Sequence, residues 1–531
     1  MRRPLVLFGY ALALAAGTYL AYRPVFDSGF ALVRAEPGDG MLNHYLLEHS
    51  WLVLADANYA GTFTKPPFYH PEPGVWWYSE TLIGAAPIYW VLRVVTDYQL
   101  AYSWWMIACS ALNFVSFAVV ARRLGCAHCA AVLGALGFAF LAVLVDQEKH
   151  QQLIPRYWMP PALLCAWLLG RAPSARALGG LSACLAMQAL TCVYTGWFLV
   201  AGMATLVPLA AALTPGGVRK LVTFARREWR PALLWAAPGV VVMAAFFAPY
   251  LLVNRGLTRT YGEAKYLIPN AAAWFTPPIN AAWFDTARGV LPEVSFECCL
   301  FHGFAATALF AAVVVWVVRT RRAADRPENW PLAAACLLAG AVWFVLCFRV
   351  DEASLWAGVM YVPGAGAIRC VSRVVLLLDL FVLTAGSIWL THALAGLRGP
   401  TRAAVVAAIA LLVGAEQVTH TPPTIPRADY YGDVDRWAER IRGVDAAYII
   451  PAPQLQREFE EVLAMWAGLR ANVPVVNGYS GRAPLDFPLV IPAAVGDHNA
   501  AVRAWLTGTF RGRVLVIDRE DYRRRRVLVI E

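Results

Sequence analysis

Charge is what this sequence has least of. Only 15% of its 531 residues are Asp, Glu, Lys or Arg, whereas 59% are hydrophobic, and the mean hydropathy is +0.52. A soluble domain cannot bury that much apolar surface in its own core, so the composition excludes a purely soluble protein. Apolar runs of about 18 to 22 residues, long enough to cross roughly 30 Å of hydrocarbon, recur along the first four-fifths of the chain and predict membrane-spanning helices.

Internal repeats, low-complexity tracts and a complete set of zinc ligands are also lacking. Cys126 and Cys129 have the spacing of half a zinc site, but no second pair follows, so a turn between two helices is the favoured interpretation. Most other cysteines are scattered along the apolar runs, where Cys behaves as a small apolar residue. We expect Cys298, Cys299 and Cys370 on the outer side, where a disulfide could form with a pairing that the sequence leaves open.

We predict a polytopic α-helical membrane protein with about eleven membrane-spanning helices. No convincing cleavage site follows the first apolar run, so we expect it to be retained as a helix rather than removed as a signal peptide. The N-terminus is expected in the cytoplasm. The predicted spans are 5–22, 99–120, 128–145, 153–170, 177–193, 197–213, 231–252, 302–318, 331–348, 371–391 and 402–418.

The basic residues indicate the orientation of these helices. The net charge is +10 and the pI is about 9.1, values that would also suit a nucleic-acid-binding protein. Every basic cluster, however, falls at an alternate gap between apolar runs, as expected for cytoplasmic loops. Orientation therefore accounts for the charge, and we predict no nucleic-acid partner. The clusters are Arg2–Arg3, Arg122–Arg123, Arg171 with Arg176, Arg219 to Arg230, Arg319 to Arg326, and Arg398 with Arg402.

The apolar stretch 81–95 fits this pattern only if it does not cross the membrane, because a crossing would place every later basic cluster on the outer side. We therefore predict an amphipathic helix that lies on the outer interface. It belongs to a long first outer loop, residues 23–98. Trp76, Trp77 and Trp90 in this loop suit the headgroup region, where aromatic rings concentrate.

The composition changes after the last predicted span, at residue 419. The remaining segment carries four short β-rich runs and one helical segment: Ala447–Ile450, Val473–Val476, Arg513–Ile517, Val527–Ile530 and the helical Gln454–Arg470. We interpret residues 419–531 as a small extracytoplasmic α/β domain, and residues 1–418 as the transmembrane domain.

Polar residues concentrate on the predicted outer loops. Asp39 lies between two glycines, Gly38 and Gly40, where a bound substrate can approach closely. The same tripeptide also suits a plain turn, in which Asp39 has only a local role. His44, Glu72 and Glu80 follow on the same loop, and this density of acids and histidine favours a functional interpretation.

This layout resembles the GT-C superfamily of membrane glycosyltransferases, which includes protein mannosyltransferases and aminoarabinose transferases. Gly38-Asp39-Gly40 stands where the family's first-loop aspartate would be, and Lys65-Pro66-Pro67-Phe68-Tyr69 looks like the segment that leads into the second interface helix. Tyr361 to Arg373 and Val475 to Arg482 resemble segments of uncharacterised bacterial relatives. The first loop contains no Asp-X-Asp and no Asp-Glu pair, which leaves metal dependence open.

The resemblance implies an inverting glycosyltransferase that takes a sugar from a polyprenyl-phosphate donor. Asp39 would be the general base on the acceptor hydroxyl, because a phosphate leaving group is already stable as an anion. Arg369 and Arg373, four residues apart at the start of a helix, would share one face and bind the phosphate. An alternative interpretation is that both arginines simply extend from a helix end to the interface.

The next predicted outer loop carries further candidates: Asp146, Glu148 and His150. They could bind a divalent cation such as Mg²⁺ or Mn²⁺, or orient the donor or acceptor; a solvated turn remains the alternative, above all for Glu148. The expected setting is a bacterial cytoplasmic membrane, with a glycan, lipid or protein acceptor on its outer face.

Three other functions are compatible with the sequence. A lipid or polysaccharide transporter or flippase usually has ionisable or broken helices near the midplane in two related halves, which this sequence does not show. An oligosaccharide ligase would have its main loop late in the chain. A catalytically inactive GT-C-like scaffold is the third alternative, because no doubled acidic motif is present.

Overall fold

The computed structural model describes residues 3–531 apart from 148–149, 254–258, 280, 283–288, 291, 324–325, 420–423, 452–456, 485–486, 488–497 and 520–524. The described chain is a bundle of long apolar helices with a layer of shorter helices, loops and strands at one end. We call this layer the cap and define it as residues 23–97 together with the described part of 424–531.

Seven helical stretches of the described chain are long and apolar enough to cross a membrane: Pro4–Ala21, Tyr98–Arg123, His128–Gln147, Val193–Leu213, Trp229–Val253, Val371–Ala393 and Gly399–Glu416. The other four predicted spans are also helical but shorter: Met159–Arg171, Ala175–Thr191, Phe304–Thr320 and Trp330–Leu346. The structure therefore supports a polytopic helical protein, and eleven crossings remain a prediction.

Small residues bring the bundle helices close together. Helix Ala175–Thr191 packs along helix Trp229–Val253. A Cβ atom on Gly179 would lie 2.8 Å from the carbonyl oxygen of Trp235, and one on Gly239 would collide with Ser182. Such glycine contacts are typical of helix pairs in lipid, where packing rather than water exclusion drives association.

The first-loop part of the cap contains two longer helices, Asp39–Ala55 and Ala86–Val95. The second contains 10 residues, so at about 1.5 Å per residue it covers roughly half of a 30 Å hydrocarbon layer. Its length agrees with an interface helix and not with a span. Glu48 joins the two helices by accepting bonds from Arg93 Nε, at 2.8 Å, and from the Tyr89 hydroxyl, at 2.6 Å.

The late part of the cap contains three helices, Arg427–Ile441, Arg457–Ala471 and His498–Leu506, and a three-stranded sheet. Strand Ala446–Ile450 is parallel to Gly512–Asp518, which is antiparallel to Arg525–Ile530. The predicted strand Val473–Val476 is different: Val475 makes one isolated bridge to Ala447. The backbone of this segment also bonds to residues 67–70 of the first loop.

The first loop and the late segment share one hydrophobic core. Trp466 is fully buried and donates its indole N–H to the Met41 carbonyl at 3.0 Å. Leu32–Val33 also pairs with Ile425–Pro426 as a short antiparallel ladder. Residues more than 390 positions apart therefore form a single layer, which fixes the late segment over the start of helix Asp39–Ala55.

Candidate functional site

Asp39 is the first residue of helix Asp39–Ala55, and Gly38 is its N-cap residue. The free backbone amides and the dipole at a helix N-terminus stabilise a nearby carboxylate. The Asp39 side chain is 29% exposed. It lies among the cap loops but can still be reached from outside.

The two carboxylate oxygens of Asp39 have different partners. His150 Nδ1 lies 2.7 Å from Oδ2, which places a ring proton between the two atoms. The Tyr479 hydroxyl donates to Oδ1 at 2.6 Å. Burial alone would raise the pKa of Asp39, but the His150 and Tyr479 hydrogen bonds and the charge of Arg373 outweigh it and hold the pKa at about 2. Asp39 is therefore ionised at neutral pH.

His150 continues the contacts from Asp39 towards the helix bundle. Its Nε2 lies 3.7 Å from Glu297 Oε2, and Arg373 donates to that same oxygen at 3.4 Å. The Cys370 thiol also donates to Glu297 Oε2, at 2.6 Å. Burial would raise the pKa of Glu297, yet the charges of Arg373 and His150 lower it overall. These contacts form a chain of polar groups from the cap to the start of a membrane helix, in which the step from His150 to Glu297 is a 3.7 Å contact and not a hydrogen bond.

The sequence did not single out Glu297 or Tyr479. Glu297 is an isolated acid in the apolar stretch Phe296 to Phe301, which is a detectable but weak signal. Tyr479 belongs to the segment 475–482, which was noted only for its resemblance. Both residues join Asp39 through contacts between parts of the chain that are far apart in sequence.

The structure places Arg369 and Arg373 before the α-helix on which they were expected to lie. Arg373 is buried in a short 3-10 turn, Val371–Val374, before helix Val375–Ala393 begins. Arg369 lies before that turn and is exposed. The α-helix on which the four-residue spacing was expected to act begins only at Val375. The charges of both arginines still act on Glu297, and a phosphate site shared by the two remains a prediction.

Further cations lie close to Arg373. Its guanidinium stacks over the Tyr194 ring, with 4.3 Å between the guanidinium carbon and the ring centroid. Arg259 donates to the Gly481 carbonyl at 3.4 Å, next to Arg482. Burial and then the charge of Arg259 lower the pKa of Arg482, as expected where positive charges are crowded. This crowding favours an anionic ligand.

Three side chains near the helix start could hold a metal ion. Glu36, Asp39 and His150 each offer one ligand atom, and these atoms lie within 4.8 Å of one another. One imidazole nitrogen and two carboxylate oxygens suit Mn²⁺ or Zn²⁺ better than Mg²⁺, which prefers oxygen ligands alone. His150 Nδ1 would have to exchange its bond to Asp39 for the ion, so the residues fit a cation only if that hydrogen bond opens.

Two predicted site residues, His44 and Glu72, have local roles elsewhere in the cap, whereas Glu80 lies near Arg373, whose charge opposes the rise that burial causes in the pKa of Glu80. His44 is fully buried; it lies 2.6 Å from the Tyr431 hydroxyl, and burial lowers its pKa. Glu72 accepts a bond from the Tyr78 hydroxyl at 3.3 Å. Glu80 is treated below. The described contacts do not bring these residues to Asp39.

Glu80 caps helix Val193–Leu213. Its carboxylate accepts from the backbone N–H of Val193 at 2.7 Å and of Tyr194 at 3.4 Å. Burial raises the pKa of Glu80, and these backbone bonds partly oppose the rise. The residue satisfies amides that the helix itself cannot pair.

Asp146 is buried next to Gln147, whose side chain donates to the Glu297 backbone carbonyl at 3.1 Å. Glu148 falls outside the described residues. All eleven cysteines lie within the described chain as free thiols, so the disulfide considered for Cys298, Cys299 and Cys370 is not formed in this structure.

Comparison with known proteins gives limited information. No family model matches the sequence, and no curated protein matches it. Among solved structures, the chain is similar to an oligosaccharyltransferase of Archaeoglobus fulgidus, solved in complex with zinc and sulfate, with 9% sequence identity and a TM-score of 0.37. The match covers 88% of this chain and 62% of the other. A likeness at this level does not establish a shared fold or activity.

Proposed function

We propose that this protein is a membrane glycosyltransferase that moves one sugar from a polyprenyl-phosphate donor to an acceptor hydroxyl, with inversion at the anomeric carbon. The observation that carries the proposal is the network Asp39–His150–Glu297–Arg373. It places an ionised, reachable carboxylate and a buried guanidinium on one connected set of contacts. The network lies at the end of an apolar bundle whose helices can contact lipid.

In the proposed reaction, Asp39 accepts the proton of the acceptor hydroxyl as the acceptor oxygen bonds to the anomeric carbon. The bond between that carbon and the phosphate oxygen breaks, and the polyprenyl phosphate leaves with the electron pair. A single displacement inverts the configuration. One carboxylate can suffice because the leaving phosphate is stable as an anion and needs no general acid.

The arginines would bind the phosphate as negative charge develops on its leaving oxygen. Glu297 neutralises part of the Arg373 charge, so we assign the phosphate jointly to Arg373 and the exposed Arg369. The polyprenyl tail would lie along the apolar helices. The proposed location is the outer face of a bacterial cytoplasmic membrane, with the cap in the periplasm and a glycan, lipid or protein as acceptor.

The decisive variant is Asp39→Asn, which keeps the size of the side chain but removes the base. We expect it to lower transfer at least 100-fold, the usual lower range for removing a general base, about 10². The measurement is transfer of radiolabelled sugar from undecaprenyl phosphate in isolated membranes, with and without EDTA to test the candidate cation. Asp56→Asn, at the far end of the same helix, is the matched control. Wild-type transfer by a folded Asp39→Asn protein would remove Asp39 from the mechanism.

A further inference from the structure

Tyr479 reaches Asp39 from the late part of the chain and is held on a rigid support. Asn477, two residues earlier, is fully buried and forms two hydrogen bonds with Ile449. Its Nδ2 donates to the Ile449 carbonyl, and its Oδ1 accepts from the Ile449 backbone N–H, both at 2.8 Å. Asn477 Nδ2 and the Gly478 N–H also donate to Glu461 Oε2, at 3.0 and 3.2 Å. The peptide before Tyr479 is therefore fixed to the sheet and to helix Arg457–Ala471.

The first loop fixes the same segment from the other side. The Tyr69 N–H donates to the Asn477 carbonyl at 2.9 Å, and the His70 N–H donates to the Val475 carbonyl at 3.0 Å. The Tyr69 ring lies against Gly478, where any Cβ atom would collide with it. Because backbone bonds and ring packing hold the segment on both sides, the position of the Tyr479 hydroxyl is set by the fold.

The Tyr479 hydroxyl is hydrogen-bonded to the Asp39 oxygen that would have to accept the proton of an acceptor hydroxyl. Oδ2 faces His150 and the chain of contacts to Arg373, whereas Oδ1 faces Tyr479 in the segment Gly478–Ser480. A general base must lie within about 2.6–3.2 Å of the hydroxyl that it deprotonates. The Tyr479 hydroxyl already donates to Oδ1 at 2.6 Å, so it stands where the acceptor hydroxyl would stand.

We propose that the segment Gly478–Ser480 forms the acceptor subsite, and that Tyr479 is a positioning residue whose hydroxyl holds Oδ1 of Asp39 until an acceptor hydroxyl replaces it. This inference rests on the proposed function. The acceptor is then an alcohol, such as a sugar hydroxyl, that approaches from the side of the C-terminal segment. The donor approaches from the side of Arg373.

This arrangement has a chemical advantage between turnovers. A free carboxylate oxygen beside a bound sugar donor would bind and activate water, and the donor would be hydrolysed. The phenol satisfies that oxygen with a strong hydrogen bond to a charged group, so that water has to compete with Tyr479. The acceptor competes successfully because it gains contacts along Gly478–Ser480 that water cannot make.

The test is Tyr479→Phe, which removes one oxygen and keeps the ring. We expect release of free sugar from radiolabelled undecaprenyl-phosphate sugar, without acceptor, to rise on the order of tenfold, the ratio that corresponds to one hydrogen bond to a charged group. We also expect the KM for methyl glycoside acceptors to fall while the KM for the donor stays unchanged. Tyr261→Phe, whose hydroxyl donates to the Glu352 backbone carbonyl at 3.0 Å, is the matched control.

The outcomes separate this inference from the proposed function. Wild-type hydrolysis and wild-type acceptor KM in Tyr479→Phe, with Asp39→Asn inactive, would overturn the acceptor subsite and leave the glycosyltransferase proposal intact. A fall in kcat without increased hydrolysis would also overturn it. No transfer and no hydrolysis by the wild-type protein would overturn both. Tyr479→Leu opens the subsite further and should release more free sugar than Tyr479→Phe.

Discussion

At the scale of single residues, the site depends on Asp39, whose two carboxylate oxygens have different hydrogen-bond partners. The sequence pointed to Asp39 because it lies between two glycines on a polar loop, and to His150 because it lies in a polar turn. It could not pair them, because the two residues are 111 positions apart. It also grouped His44 with them, although a histidine five positions along the same helix points into a core of aromatic rings.

The contact between His150 and Asp39 leads to a prediction about pH. Asp39 has a pKa of about 2, below the ordinary value of about 3.9, so its charged form is stabilised in the folded protein. This contribution is fully present above about pH 4 and is lost as the pH falls towards 2. We expect the wild-type kcat/KM to show no loss from protonation of Asp39 above about pH 4.

His150→Leu should move the acid limb of the kcat/KM profile to higher pH, because it removes a hydrogen bond and a charge that lower the pKa of Asp39. The measurement is the rate of sugar transfer across the acid range in detergent solution. His392→Leu serves as the control, since its Nε2 contacts Asn329 at 3.1 Å and not the site. An unchanged acid limb in a folded His150→Leu protein would contradict the assignment of Asp39 as the titrating base.

At the scale of secondary-structure elements, the apolar runs predicted the positions of helices, whereas the polar segments did not predict theirs. Each of the eleven predicted spans overlaps a helix, because about 18 apolar residues in a row have few alternatives to a helix in lipid. The basic stretch after residue 216 was predicted only as a cluster, yet Gly217–Arg227 is an amphipathic helix. Val473–Val476 was predicted as a strand from its β-branched residues, but its pairing partners are divided between the sheet and the first loop.

The cap on helix Val193–Leu213 gives a prediction at this scale. Glu80→Ala should lower the free energy of unfolding by about 1–3 kcal/mol, because two partly buried amides at the helix start lose their acceptor. Glu80→Gln keeps one acceptor oxygen and should lose less. The measurement is thermal or denaturant unfolding in detergent, followed by tryptophan fluorescence. Glu72→Ala, on the same loop, is the control, and equal effects of the two alanine variants would contradict the capping role.

At the scale of the whole molecule, the proposed reaction requires the cap to be on the same side of the membrane as the donor phosphate. Composition and the positions of the basic clusters predicted this orientation, and the network from Asp39 to Arg373 requires the cap and the ends of the helices to be in contact. The shared core of the first loop and the late segment was not predictable, because nothing in a single sequence reports contacts over some 400 residues.

Reporter fusions test this orientation. Alkaline phosphatase fused after residue 531 should be active, because this enzyme folds only outside the cytoplasm of a bacterial cell. The same reporter fused after residue 215, in the turn before helix Gly217–Arg227, should be inactive. The reverse pattern would place Asp39 in the cytoplasm and exclude a periplasmic acceptor.

The position of Tyr479 also has a consequence for biosynthesis. Asp39 leaves the ribosome early, whereas Tyr479 is translated some 440 residues later. Until the final segment docks, the nascent chain would expose an incomplete pocket whose base has no phenolic partner. Quality-control proteases in the membrane could therefore distinguish finished chains from stalled ones by whether the late segment covers Asp39.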